Sequence, residues 1–218
     1  DKSHPENMDQ IKESTITQMI INDITNGVGD TEIKAGIIGE VGCSWPLTKN
    51  ETKVLRASAA AQSETGAAIL IHPGRNEKSP KEIIKILKES GADLTRTIMG
   101  HLDRTVSNHD ILIEIAENGC YLEYDLFGQE ISYYPLSDFD MLNDGQRIDY
   151  LKYLISKGYE KRIVIAQDIC TKHRLQKYGG HGFSHIIENV IPHMQEKGMS
   201  KDQINNIIIN NPADILAI

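Results

Sequence analysis

Long charge runs, membrane-length apolar stretches and paired cysteines are all missing from this 218-residue chain. The formal charge of −8 is spread without an acidic or basic block, which argues against nucleic acid or an anionic membrane as a partner. No apolar run approaches the ~20 residues that a membrane-spanning helix needs. The cysteines Cys43, Cys120 and Cys170 are odd in number and share no CxxC spacing. Neither a disulfide framework nor a structural zinc knuckle is expected, and a reducing, cytosolic setting fits best. Also absent are GxGxxG and GxxxxGK[ST], the loops that cradle nucleotide phosphates. What remains, at 39% hydrophobic residues, has the composition of one globular domain with a sizeable core.

From residue 48 onward one unit recurs: polar N-cap, amphipathic helix, glycine, short apolar strand, polar residue. Thr48 with Glu51 opens the first helix, which runs to Gly66. Ser79-Pro80-Lys81-Glu82 reads as a capping box with proline at the first helical position, followed by an Ile83, Ile84, Leu87 stripe. Asn108 to Gly119 and Asp144 to Gly158 repeat the scheme. Strands are expected at Ile33 to Gly39, Ala67 to Ile71, Thr95 to Gly100, Cys120 to Tyr124 and Arg162 to Gln167. Strands joined by single helices run parallel, so either a doubly wound sheet or a (β/α) barrel results. The missing phosphate loop favours the barrel. Asp1 to Gly27 reads as one amphipathic helix with Ile16, Met19, Ile20 and Ile24 as its stripe. The acidic, aromatic stretch from Phe127 to Asp144 suits either an active-site lid or a solvated connection.

In parallel α/β folds chemistry gathers beyond the carboxyl ends of the strands. Glu40, His72, His101 and Asp168 occupy those ends, after GIIG, AILI, TIMG and IVIAQ. Period-two alternation predicts Ile38, Leu70, Met99 and Ala166 one layer below them on the same face. Two imidazoles and two carboxylates in one mouth suit Zn²⁺ or a similar divalent ion, and their negative charge in a dry site calls for a cation. A single histidine or acid at a strand end is more often structural; four in the same register argue for a site. His181 and His185, four apart beyond the last strand, read as surface or core histidines.

GIIGEVGCSWPLT, ILIHPGR, IMGHLDRT, CYLEYDLFG, IVIAQDI, TKHRLQKYGGHGFSHI and the terminal NNPADIL resemble the phosphotriesterase family of the amidohydrolase superfamily, in particular its phosphotriesterase-related branch. The likeness implies a metallo-dependent (β/α)₈ TIM barrel, of which residues 1–218 would form the C-terminal five or so βα units. The first three strands and their His-x-His pair would lie outside this sequence. It also implies two divalent metal ions, of zinc type. Glu40 would bridge them, His72 and His101 would bind one, and Asp168 would serve as ligand and proton carrier.

The activity implied is hydrolysis of a linear amide, N-acetyltaurine, to taurine and acetate. A lactonase or organophosphate hydrolase on the same site is the alternative, and a non-catalytic barrel is the third. A small sulfonated substrate calls for cationic or donor partners. Arg75 is the first candidate, Lys172 and Arg174 the next, and Tyr124 a possible donor to a substrate oxygen. Trp45, just after the Glu40 strand, suits a pocket wall or the core.

Overall fold

The computed structural model describes residues 4–131, 133–137 and 140–218. Five parallel strands, β1 (Ile38–Gly42), β2 (Ile69–His72), β3 (Thr97–Met99), β4 (Tyr121–Tyr124) and β5 (Ile163–Ile165), pair in sequence order. Helices α1 (Glu13–Thr25), α2 (Lys49–Thr65), α3 (Ser79–Glu89), α4 (His109–Ala116) and α5 (Asp144–Ser156) precede, connect or follow them. Short helices α6 (Ile191–Glu196), α7 (Lys201–Asn205) and α8 (Asn211–Leu216) close the chain.

The two faces of the sheet pack differently, and that difference decides the architecture. Ile69, Ile71, Met99, Leu122 and Ile163 join Leu55, Ile83, Leu87, Leu112 and Leu151 from the helices in the main core. The opposite face carries a small cluster of Ala68, Ile98, Tyr121 and Val164, to which the helices contribute only Ile215. A doubly wound sheet has helices on both faces and reverses its strand order, whereas a barrel wall does neither. The fold is accordingly part of a (β/α)₈ barrel, its concave face carrying the smaller cluster.

Local sequence explains most elements. Thr48 and Glu51 form the expected capping box at the start of α2, and Asn143 with Gln146 forms another at α5. Asn108 caps α4. At α3 the box does not form: the Ser79 hydroxyl instead accepts from the Gly74 amide at 2.9 Å and pins the loop after β2. In the terminal NNPADIL segment, the Asn211 amide donates to the carbonyls of Glu160 and Ile163, tying α8 to the start of β5.

Three expectations shift. The N-terminal helix covers only Glu13–Thr25, with Asp1 to Ser3 outside the described residues, and its inward stripe is Ile16, Ile21 and Ile24. Met19 is 59% exposed. The first strand lies later than predicted, so Glu40 falls within it.

The third shift concerns the layer beneath the site. Ile38 and Met99 face the helices, and the concave positions are Ile37 and Ile98 instead; Leu70 is concave as expected. Two backbone irregularities account for this. In β1 the pairing slips between Ile38 and Val41, so Gly39–Glu40 forms a bulge that interrupts the alternation. Gly39 has φ +135°, and a Cβ there would meet the Leu70 carbonyl at 2.5 Å. His101 adopts a left-handed conformation, φ 52°, which turns its ring off the simple strand alternation.

Leu55→Ala, at a fully buried position of α2, is expected to lower stability by about 2–5 kcal/mol. A urea-unfolding midpoint equal to that of the unsubstituted chain would contradict this packing.

Candidate metal centre

Glu40 projects from the β1 bulge, His72 ends β2 and His101 lies two residues beyond β3. Glu40 Oε1 is 2.7 Å from His101 Nε2 and 3.1 Å from His72 Nδ1. The two ring nitrogens are themselves 2.7 Å apart. These three side chains are the group, among the described residues, whose ligand atoms converge as a metal site requires. So close a set of lone-pair atoms repels itself unless a proton or a cation lies among them.

The structure supplies the orientation that such a cation needs. Asp125, just past β4, accepts from His101 Nδ1 at 2.7 Å and from the His101 amide at 2.9 Å. A carboxylate only accepts, so Nδ1 carries the proton and Nε2 turns toward Glu40. Gly100 lets the strands close in: a Cβ there would meet the Ile71 carbonyl at 2.7 Å and the Glu123 and Asp125 carboxylates at 3.1 and 3.2 Å. On the other ring, Arg104 Nη2 lies 3.0 Å from His72 Nε2. A guanidinium only donates, so this nitrogen accepts, and the proton of a neutral His72 ring points from Nδ1 toward Glu40. The donor set therefore fits a divalent ion of borderline hardness that displaces these protons.

Charge balance follows the same contacts. Hydrogen bonds from His101 and His72 hold the Glu40 carboxyl well below the usual carboxylate range, against the opposing effect of desolvation. Burial would lower His101, but its bonds to Asp125 and Glu40 outweigh that and raise it to about 9. Glu123 is pushed well above its ordinary value by burial and by Asp125 beside it. Asp103, wholly buried, is raised to about 6 by burial, although Arg147 pairs with it at 2.9 Å. Arg147 also binds Asp144, which in turn contacts His185 at 2.7 Å. His181 and His185 thus belong to a polar network behind the site, with the His181 ring against Gly128.

The other sequence candidates lie in different surroundings. Asp168 has a left-handed backbone, φ 43°, and contacts Arg174 through both its carbonyl and its carboxylate. It stands outside the Glu40, His72 and His101 group, beyond the strand farthest from β1. Lys172 extends over the Tyr178 ring at 5.7 Å. Tyr124 is fully buried, faces the helix-side core and has no hydrogen-bond partner for its hydroxyl. It is not positioned to donate to a substrate, because Tyr121 occupies the concave face and the alternation turns Tyr124 outward.

Arg75, Trp45, Ser44 and Leu136 line a cavity of about 1060 Å³ together with Glu40 and His72. Arg75 Nε donates to the Tyr134 hydroxyl at 2.5 Å, so the stretch after β4 reaches over this cavity. Ser132, Asp138 and Phe139 of that stretch lie outside the described residues. Sequence reasoning missed Asp125, Glu123 and Arg104. Asp125 and Glu123 were discoverable by counting alternate residues from Tyr121; Arg104 had no signal of its own.

Carboxylate and imidazole donors at the carboxyl rim of a parallel barrel define the metal-site class of barrel proteins. The phosphotriesterase family model matches residues 4–216, and the chain belongs to that family. It is 54% identical over 219 residues to the N-acetyltaurine hydrolase of Dictyostelium discoideum, covering 100% of this chain and 59% of that protein. The mouse N-acetyltaurine hydrolase is 52% identical over 198 residues, covering 90% of this chain and 57% of that protein. The chain thus spans less than two thirds of the length of these curated relatives. The crystal structure of a phosphotriesterase homology protein from Escherichia coli, complexed with phosphate in its active site, superposes with a TM-score of 0.89 at 29% identity. That superposition covers 100% of this chain and 71% of the other.

Removing Asp125 frees the His101 ring, so Asp125→Ala is expected to weaken divalent-metal affinity about 10–100-fold in a chelator-competition titration. The metal also competes with the His101 proton. Because that group is raised from 6.5 to about 9, its protonation stabilises the metal-free fold fully below pH 6.5, and this contribution is lost toward pH 9. Metal affinity is therefore expected to rise across the same window, and a flat profile would contradict the assignment.

Proposed function

We propose that this chain is part of a metal-dependent hydrolase that cleaves the amide bond of N-acetyltaurine to give taurine and acetate. The observation that carries the reading is the convergence of Glu40, His72 and His101 at the strand ends, with His101 oriented by Asp125. The names of the relatives supply the substrate. Residues 1–218 are read as the C-terminal part of one barrel domain. Three free cysteines suit the reducing cytosol; burial pushes Cys43 and Cys120 up to about 12, which leaves them unreactive.

Two divalent ions, most naturally Zn²⁺ given the imidazole and carboxylate donors, would supply Lewis acidity and activate the attacking water. Glu40 would bridge the pair, and His72 and His101 would hold one of them. Asp168 would complete the set and carry the proton of the attacking water to the departing amine nitrogen, a step that requires it to face the site instead of Arg174. Arg75, lining the same cavity, is the leading partner for the sulfonate. Lys172 and Arg174 rank below it because neither lines that cavity. Tyr124 is withdrawn from this role by its burial.

Acetate release from N-acetyltaurine by the full-length protein tests the reading. Glu40→Gln is expected to lower kcat by about 10²-fold or more, the scale of losing a group that positions or deprotonates the reacting water. Unaltered acetate release would overturn the role of Glu40, and preferential hydrolysis of a lactone or a phosphotriester would move the assignment to those substrates.

A further inference from the structure

Arg104 is 3% exposed, yet among the described residues no carboxylate pairs with it. Its two Nη atoms each donate to the Pro73 carbonyl at 3.2 Å; Nη1 also donates to the Thr105 hydroxyl at 3.1 Å and Nη2 to His72 Nε2 at 3.0 Å. The carbonyl and hydroxyl acceptors are neutral, and so is the imidazole that accepts. The nearest buried acids are engaged elsewhere, Asp103 by Arg147 and the Leu126 amide, and Asp125 by His101. A guanidinium does not shed its proton to relieve such burial, and a buried cation without an anion is costly.

A second guanidinium lies nearby. Arg75 follows His72 by three residues, lines the cavity that Glu40 and His72 also line, and is close enough to Arg104 to disfavour its charge. Arg75 has the Tyr134 hydroxyl as its hydrogen-bond partner, with its guanidinium carbon 5.9 Å from that ring. Among the described residues, therefore, the acceptors of these two cations beside one candidate metal ligand are neutral.

We propose that Arg104 and Arg75 together form a receptor for a tetrahedral oxyanion on the substrate, with the Tyr134 hydroxyl holding the place of one oxyanion oxygen in the ligand-free protein. Under the reading above, on which the identity of the ligand rests, this anion is the sulfonate of an N-acyl taurine. Two methylene groups separate that sulfonate from the amide nitrogen. Such a short reach suits a guanidinium in direct contact with His72, whereas an exposed cation remote from the strand ends would be too far away. Arg104 thereby acts in selecting the substrate and takes no part in proton transfer.

The test uses the full-length, metal-loaded protein and the same protein stripped by chelator. Arg104→Lys keeps a positive charge but loses the planar fork. It is expected to weaken methanesulfonate binding at least about fivefold by calorimetry in both forms, and to cut the preference for a sulfonated over an uncharged amide at least about tenfold, mostly through KM. Equal losses on the two amides, or unchanged methanesulfonate affinity at normal metal content, would overturn the proposal. If methanesulfonate binds in an Arg104-dependent way while no sulfonated amide is hydrolysed, the receptor stands and the amidase reading falls. Should Arg104→Lys fail to fold, Tyr134→Phe decides: removing the placeholder hydroxyl is expected to tighten methanesulfonate binding, and unchanged or weaker binding would sink the idea.

Discussion

Three electron-rich atoms crowd within hydrogen-bonding distance of one another at the rim of this sheet, and electrostatics forbids that arrangement unless positive charge lies among them. Much of the surrounding architecture serves this constraint. The β1 bulge turns Glu40 inward, the left-handed backbone at His101 aims its ring, and Asp125 behind it fixes which nitrogen faces the others. Buried carboxyls at Glu123 and Asp103 and the wholly buried Arg147 extend this polar layer toward α5. The helices in turn bury the convex side of the strands, so the rim is held on a rigid wall.

The division of labour between the faces gives the barrel its chemical direction. Helix-facing positions are mostly apolar and buried in the main core. The concave positions form a smaller apolar cluster, and Glu40, His72 and His101 lie at the carboxyl ends of the strands that carry it. Arg104 is the least expected member of that polar layer. Its burial against neutral acceptors makes sense when anion recognition is built next to the candidate metal ligands instead of on a distant loop.

The helices and strands were legible in the sequence because their signals are local: caps, stop glycines and 3.6- or 2-residue periods. Glu40, His72 and His101 were legible because they recur at the same place in successive units. Met99 and Ile38 were assigned to the wrong face because a bulge and a left-handed residue change alternation without leaving a compositional trace. The capping box at Ser79 failed for a tertiary reason, since its hydroxyl serves Gly74. Asp125 lies on the alternation from Tyr121 and was within reach of the period-two count, whereas Arg104 is defined by what it touches across the fold, and no spacing rule encodes those contacts.

Among the described residues, the non-glycine positions with positive φ are His101 and Asp168, both of them proposed for the site. Asparagine, aspartate and histidine are the side chains that best tolerate this backbone. The two positions therefore form a permissive pair for redesign, where donor chemistry can be exchanged among those three types without remaking the turn, whereas a β-branched residue at either would force the backbone to move. Ligand variation in this barrel is thus channelled by chain geometry as much as by the needs of any ion.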